Sequence, residues 1–207
     1  MPAVTNAQID LVLFDLGGVL IDPGGVGPMQ EMSGIADEEE LWRRWLTCRW
    51  VRAFEQGACS AEAFASGLVE DWGLALSPEA FLADFAGWPH PLLPGAASLI
   101  SATRAARPVG CLSNTNSLQW EVNCDQWPLL AELDYRFVSF ELGMVKPDAE
   151  IFDAVAAGLP FPRPRVLFLD DNAINVEAAR QAGFTAERAR GVDEARHVLV
   201  RAGVLPE

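Results

Sequence analysis

Four short apolar runs in this sequence each lead into polar residues that could carry out chemistry. The first run ends at Asp15, the second leads into Ser113-Asn114-Thr115-Asn116, and the third leads to Lys146. The fourth ends in Asp170-Asp171-Asn172, and Asn175 follows three positions later. Converging carboxylates require a cation, and a few carboxylates with water and phosphate oxygens form the environment that Mg²⁺ prefers. If the four runs meet, the sequence predicts a magnesium site.

Lys146 stands out because it is the only lysine, whereas the chain has fourteen arginines. A single lysine before Pro147 could be an ordinary solvated loop residue. Because it follows its apolar run in the same way that the other polar residues follow theirs, we expect its ammonium group to lie in the site.

The four runs have the length and character of buried strands, and a segment with helical spacing follows each of them. They span Ile9–Phe14, Pro108–Leu112, Tyr135–Phe140 and Val166–Leu169. Strands that alternate with helices predict an α/β fold, with a Rossmann-like, mostly parallel sheet and helices on both faces. Ligands of such sheets bind at the carboxyl ends of the strands, so the four polar segments should converge there.

Between the first and second runs, the sequence shows only helical patterns. Five of the seven tryptophans lie in this part of the chain. We predict two domains, an α/β core formed by residues 1–22 and 93–207 and an inserted helical cap formed by residues 23–92. The predicted cap helices are Glu38–Glu55, Ala61–Trp72 and Pro78–Trp88.

Arginines of this insert could reach a substrate hydroxyl or phosphate. Salt bridges within the cap are the simpler expectation for them. They are Arg43, Arg49 and Arg52.

Composition limits the classes of partner and compartment. The net charge of −14 argues against non-specific binding to nucleic acid or to an anionic membrane. No apolar stretch approaches the roughly 18 residues of a membrane span, and the N-terminal residues lack the pattern of a signal peptide. The four cysteines show no metal-ligand spacing and are expected to be small apolar side chains in a reducing compartment. We expect a cytoplasmic protein.

In their order along the chain, the four segments resemble the motifs of the haloacid dehalogenase (HAD) superfamily, from Leu11 to about Gly183. The insert after the first motif is similar to the subclass with a helical cap at that point. Within it, the chain resembles the α-D-glucose-1-phosphate phosphatase-like group and the phosphatase domain of soluble epoxide hydrolases. The motifs are FDLGGVL (Phe14–Leu20), LSNTN (Leu112–Asn116), LGMVKPDAEIF (Leu142–Phe152) and FLDDNAINVEAA (Phe168–Ala179).

The resemblance implies a hydrolase that removes phosphate from a small phosphorylated metabolite, such as a sugar phosphate. Asp15 would be the nucleophile and would form an aspartyl-phosphate that water hydrolyses. Ser113 and the backbone N–H of Asn114 would hold the transferring phosphoryl oxygens, and Gly18 would also line the substrate site. Lys146 would neutralise the phosphate and orient Asp15.

The resemblance also implies that Mg²⁺ is the cofactor. Asp15, Asp171 and the backbone carbonyl of Gly17 would bind the ion directly. Asp170 would either bind the ion directly as well or support the residues that do. Asn175 and Asn172 would support the loop that carries these carboxylates.

The sequence departs from the family's phosphatases at Gly17, where a second Asp usually protonates the leaving oxygen. General acid catalysis typically contributes about 10²–10⁴ in rate, so three hypotheses stay open. The leaving group departs without that acid, as an anomeric sugar phosphate could, or the chain is a weakly active or non-catalytic binding protein. The third is a 2-haloacid dehalogenase, since those enzymes also lack the second Asp. Halide displacement needs no metal, and a carboxylate pair such as Asp170-Asp171 would oppose it, so a phosphatase is favoured.

Overall fold

The computed structural model describes residues 8–88, 91–123 and 127–207 of the chain. Its centre is one parallel sheet with the strand order β3-β2-β1-β4-β5. The Rossmann-like α/β fold expected from the sequence is confirmed. The strands are β1 (Leu11–Phe14), β2 (Val109–Ser113), β3 (Tyr135–Val138), β4 (Val166–Asp170) and β5 (Thr185–Arg188).

Two strands differ from the sequence prediction. The third apolar run predicts a strand as far as Phe140, but β3 ends at Val138 and a short helix begins at Ser139. The sequence does not predict β5, because this edge strand has no apolar run and only Ala186 within it is buried.

The strand residues alternate between two hydrophobic cores, one on each face of the sheet. Val12 and Phe14 belong to one core, whereas Leu11 and Leu13 belong to the other. Successive side chains of a strand point to opposite faces, and all of these residues are buried. Both faces of the sheet are therefore covered, which explains why the strand has a continuous apolar sequence.

Of the α-helices between β1 and β2, the first five are called the helical insert below. Their buried side chains form a third cluster, separate from the two cores of the sheet. The cluster is rich in aromatic rings, and the ring of Trp45 lies 5.9–6.4 Å from four others. The helices are α1 (Val26–Ser33), α2 (Glu38–Thr47), α3 (Arg49–Glu55), α4 (Ala61–Trp72) and α5 (Pro78–Phe85).

The helical insert also corrects the sequence prediction. The predicted helix from Glu38 to Glu55 is broken at Cys48, which has an extended backbone (φ −68°, ψ 122°). Helix α1 is not predicted by the sequence, and the helix expected to reach Trp88 ends at Phe85.

Six further α-helices in the described part of the chain accompany the sheet. Leu99 of the first and Leu199 of the last pack in one core, whereas Phe152 and Val176 pack in the other. The helices therefore cover both faces. They are α6 (Ala96–Ala106), α7 (Ser117–Asn123), α8 (Ser139–Leu142), α9 (Ala149–Ala157), α10 (Ala173–Gln181) and α11 (Gly191–Arg201).

The two connections between the insert and the sheet run side by side. Ile21 forms an antiparallel bridge with Leu92, and the N–H of Leu93 donates to the carbonyl of Leu20 at 2.9 Å. This pairing ties the beginning and the end of the insert to each other. None of the helices in the described ranges is long and apolar enough to cross a membrane.

Candidate active site

The carboxyl ends of β1, β2 and β4 bring polar residues together at one edge of the sheet. Asp15 follows β1, Ser113 ends β2 and Asp170 ends β4. The N–H of Asp15 donates to the carbonyl of Leu169 at 2.7 Å, which extends the pairing of β1 with β4 by one residue. Asp15 is 8% exposed, Ser113 3% and Asp170 0%, so these groups lie inside the protein.

Lys146 lies at the centre of this group and is 1% exposed. Its Nζ lies 3.0 Å from Oδ2 of Asp15 and 2.6 Å from Oδ2 of Asp170. It also donates to the carbonyl of Leu112 at 3.1 Å. An ammonium group has three N–H donors, so these contacts satisfy it. One side chain thereby connects the ends of three neighbouring strands.

Two side chains, Asn114 and Ser139, connect the loop after β2 with the segment that follows β3. Nδ2 of Asn114 donates to the Lys146 carbonyl at 3.0 Å, and the Lys146 N–H donates to Oδ1 of Asn114 at 2.9 Å. The N–H of Thr115 donates to Oγ of Ser139 at 2.9 Å, and this hydroxyl donates to the Thr115 carbonyl at 2.9 Å. The loop after β2 is thus held against the segment that follows β3.

Asp170 is fully occupied by hydrogen bonds. Its Oδ1 accepts from the N–H of Asn172 at 2.8 Å and from Nδ2 of Asn175 at 3.1 Å. Its Oδ2 accepts from Nδ2 of Asn175 at 3.1 Å and from Lys146. Oδ1 of Asn172 accepts from the N–H of Ile174 at 2.9 Å and caps α10. The polar network therefore holds Asp170 and the first turn of α10 in place.

Asp171 completes a group of three carboxylates. One oxygen each from Asp15, Asp170 and Asp171 lies within 4.8 Å of the others. Gly18 makes room for Asp171, because a Cβ on Gly18 (φ +71°) would lie 2.5 Å from Oδ2 of Asp171. The N–H of Gly18 donates to the carbonyl of Ile21 at 2.8 Å, so this N–H is used within the turn. A side chain at position 18 would displace the Asp171 carboxylate.

Gly17 differs from Gly18 in its surroundings. Gly17 does not have a positive φ, and the nearest atom to a Cβ built there is Cβ of Pro23 at 4.0 Å. The backbone at position 17 therefore accepts a side chain without strain.

Asp15 and Asp171 have raised pKa values. Burial raises the pKa of Asp15 to about 8, against the charge of Lys146 and with the help of Asp170 and Asp171. Burial and the charge of Asp170 raise the pKa of Asp171 to about 6. Burial alone would lower the pKa of Lys146, but Asp15 and Asp170 outweigh it and raise that pKa, so the ammonium stays charged. Three carboxylates share one ammonium, an arrangement that favours a further cation.

The helical insert contacts the sheet domain beside this cluster. Arg52 of α3 pairs with Asp148 at 2.5 Å, two residues beyond Lys146. Nε2 of Gln119 in α7 donates to the carbonyl of Phe85 in α5 at 2.9 Å. The expected salt bridges inside the insert form for two arginines only: Arg43 with Glu40 and Arg49 with Asp71.

Glu55, the last residue of α3, is a residue near the site that the sequence analysis missed. It is partly buried, and Lys146, Trp45 and Asn114 are among the side chains that influence the pKa of its carboxyl group. Burial raises its pKa to about 7, against the charge of Lys146. No spacing in the sequence distinguishes Glu55 from other glutamates, because its position depends on how the insert packs against the sheet.

Comparison with known proteins identifies the family. The model of the haloacid dehalogenase-like hydrolases matches residues 9–183, and the chain belongs to this family of hydrolases, as the motifs predict.

The chain is 27% identical over 202 residues to D-ribitol-5-phosphate phosphatase of Bacteroides thetaiotaomicron, which covers 93% of this chain and 98% of that protein. It is 28% identical over 194 residues to (S)-2-haloacid dehalogenase of Pseudomonas fluorescens, covering 86% and 82% of the two chains. Its fold matches a HAD family enzyme of Bacteroides thetaiotaomicron, solved in complex with magnesium and inorganic phosphate. The TM-score is 0.71 at 24% identity, over 92% of this chain and 99% of that one.

Proposed function

We propose that this hydrolase is a Mg²⁺-dependent phosphomonoesterase that acts on a small phosphorylated metabolite through an aspartyl-phosphate on Asp15. The observation that carries the proposal is the group formed by Asp15, Asp170 and Asp171, whose oxygens lie within 4.8 Å of one another. Among the described residues, Lys146 is the only cation that forms an ion pair with these carboxylates. The similarity to D-ribitol-5-phosphate phosphatase supports a small phosphorylated substrate.

The residues fit a magnesium ion. When ionised, three carboxylates and one ammonium leave two negative charges, and carboxylate and carbonyl oxygens are the donors that Mg²⁺ prefers. Asp15, Asp171 and the carbonyl of Gly17 would hold the ion. Asp170 is better suited to orient Lys146 than to bind metal, because its two oxygens already accept from Asn172, Asn175 and Lys146. The ion would neutralise charge on the phosphoryl oxygens.

The other residues would position the reacting groups. An oxygen of Asp15 attacks phosphorus, and the alcohol departs. Lys146 holds the Asp15 carboxylate through Oδ2 and offsets charge on the phosphoryl group. The hydroxyl of Ser113 and the N–H of Asn114, at the end of β2, would donate to the phosphoryl oxygens. Water then hydrolyses the aspartyl-phosphate, so that one difficult step becomes two easier ones.

We propose that the helical insert acts as a cap that covers the substrate. Its separate hydrophobic cluster, the paired linkers at Ile21 and Leu92, and the Arg52–Asp148 ion pair support this role. The proposed boundaries are residues 23–92 for the cap and residues 1–22 and 93–207 for the core. Residues 1–7, 89–90 and 124–126 of these ranges lie outside the described residues.

A second candidate function is 2-haloacid dehalogenation. Gly17 and the similarity to (S)-2-haloacid dehalogenase favour it. Asp171 counts against it, because a carboxylate cluster that attracts a cation would repel a departing halide. A weakly active or non-catalytic binding protein is the third alternative.

A substrate screen separates these functions. Wild-type protein and Asp15→Asn are assayed against a panel of phosphorylated metabolites, with Mg²⁺ and with EDTA, and against 2-haloacids without metal. We expect phosphate release by the wild type only, and only with Mg²⁺. Halide release without metal would replace the phosphatase by the dehalogenase, and failure to turn over either class would favour the binding protein.

A further inference from the structure

We propose that Glu55, at the end of α3, is the acid that protonates the leaving oxygen. Residue 17 cannot perform this role because it is a glycine. This assignment rests on the proposed phosphatase function. It is carried by the position of Glu55 where the helical insert meets the loop after β2 and the segment that bears Lys146.

The contacts of the carboxyl group place it beside the site. Its side-chain neighbours are Trp45 from the insert and Asn114 from the loop after β2, and it lies in the field of Lys146. Asn114 clamps the backbone of Lys146 through two hydrogen bonds of 2.9–3.0 Å. Asn114 therefore lies between the carboxyl group of Glu55 and the backbone of Lys146, whose ammonium group holds Asp15.

The end of α3 is held in this position at two further points. Arg52, one turn before Glu55, pairs with Asp148 at 2.5 Å. In the turn that follows, Gly57 lies so close to the sheet domain that a Cβ on it would be 2.8 Å from the carbonyl of Phe140. These contacts lie on either side of Glu55, so its carboxyl group is positioned by the packing of insert against core.

The environment of Glu55 also suits proton donation. A general acid works best when its pKa is near the working pH, and burial raises the pKa of Glu55 to about 7, against Lys146, Trp45 and Arg52. The resemblance to the family's phosphatases places their acid at position 17, and a Cβ built on Gly17 has only Cβ of Pro23 within 4.0 Å. An acid that approaches from the insert thus meets no side chain at that position.

Glu55 alone accounts for both proton transfers of the reaction. As an oxygen of Asp15 bonds to phosphorus, the bond from phosphorus to the leaving oxygen breaks and that oxygen takes the proton of Glu55, which releases the alcohol. The Glu55 carboxylate then accepts a proton from the water that attacks the aspartyl-phosphate. Inorganic phosphate leaves, and the carboxyl group of Glu55 is restored.

The test compares good and poor leaving groups in Glu55→Gln. The probes are p-nitrophenyl phosphate, phenyl phosphate and D-ribitol 5-phosphate, and kcat/KM is measured because it reports the step in which the alcohol leaves. The p-nitrophenolate ion departs without a proton, so its ester should lose no more than a few-fold. The alkyl ester should lose about 10²–10⁴-fold, the usual contribution of a general acid, with phenyl phosphate between them.

Two further variants keep the test decisive. Glu70→Gln, an exposed glutamate of α4, should leave all three values unchanged. Adding Gly17→Asp to Glu55→Gln should restore turnover of the alkyl ester, because the backbone at position 17 accepts a side chain. Equal losses for all three esters, or no loss, would overturn the assignment of Glu55 even if the wild type is an active phosphatase. If the wild type hydrolyses none of the esters or metabolites, the proposed function itself fails.

Discussion

Replacement of Asp171 by Asn should remove most of the stabilisation of the native state by Mg²⁺. The wild type holds three carboxylates within 4.8 Å, and the proposed ion would be bound by the native state only. Such a ligand at about 100 times its Kd stabilises the native state by about 2.7 kcal/mol. For a chain of this size, about 2–4 °C of Tm accompany each kcal/mol, so we expect Mg²⁺ to raise the Tm of the wild type by about 5–11 °C.

Without Mg²⁺, replacing Asp171 by Asn should leave the Tm unchanged or raise it. Burial and Asp170 raise the pKa of Asp171 from 3.8 to about 6. A carboxyl group whose pKa is raised in the folded state favours folding while it is protonated, and this contribution is lost as the pH rises through the folded pKa. At pH 7 the ionised Asp171 therefore opposes folding, and Asp171→Asn should melt at or above the metal-free wild type.

The assay is a series of calorimetric melts at pH 7 with EDTA and with increasing Mg²⁺. Asp153→Asn is the matched control, since Asp153 is exposed and pairs with Arg163 at 2.7 Å on the surface. An exposed pair contributes about 0–1 kcal/mol, and this variant should keep the full response to Mg²⁺. A wild-type Tm that does not respond to Mg²⁺, or an Asp171→Asn Tm that responds equally, would refute the metal site.

Three further substitutions test individual contacts of the site. Asp15→Asn should abolish phosphate release with an unchanged circular dichroism spectrum, and a variant that keeps a tenth of the wild-type kcat would exclude Asp15 as the nucleophile. Lys146→Met leaves Asp15 and Asp170 without their shared cation, so urea unfolding should show a loss of about 3–5 kcal/mol, typical of a broken buried pair; unchanged stability would contradict the ion-pair geometry. Gly18→Ala would place Cβ 2.5 Å from Oδ2 of Asp171, so Mg²⁺ should bind more weakly by calorimetric titration, and wild-type affinity would argue against Asp171 as a ligand.

The fold was readable in the sequence mainly because β1, β2 and β4 are buried on both faces. Such strands need apolar residues at every position, so runs such as Leu11–Phe14 and Val166–Leu169 are continuous, and the polar residue that ends each run marks the edge of the sheet. Parallel pairing then places those ends side by side. β3 and β5 are the two edge strands, and each has one buried residue. β3 still has an apolar run because Tyr135 and Phe137 pack against a core, whereas β5 contributes only Ala186 to it.

The sequence by itself determined which residue types meet at the edge of the sheet, since Asp15, Lys146 and Asp170 each follow an apolar run. Only the tertiary structure decided how they share their contacts. The ammonium of Lys146 reaches Asp15, Asp170 and the carbonyl of Leu112, segments that are far apart along the chain. The position of Glu55 likewise depends on the break at Cys48 and on the docking of α3 beside Asp148. Contacts between distant segments depend on packing in three dimensions, so no local pattern in the sequence predicts them.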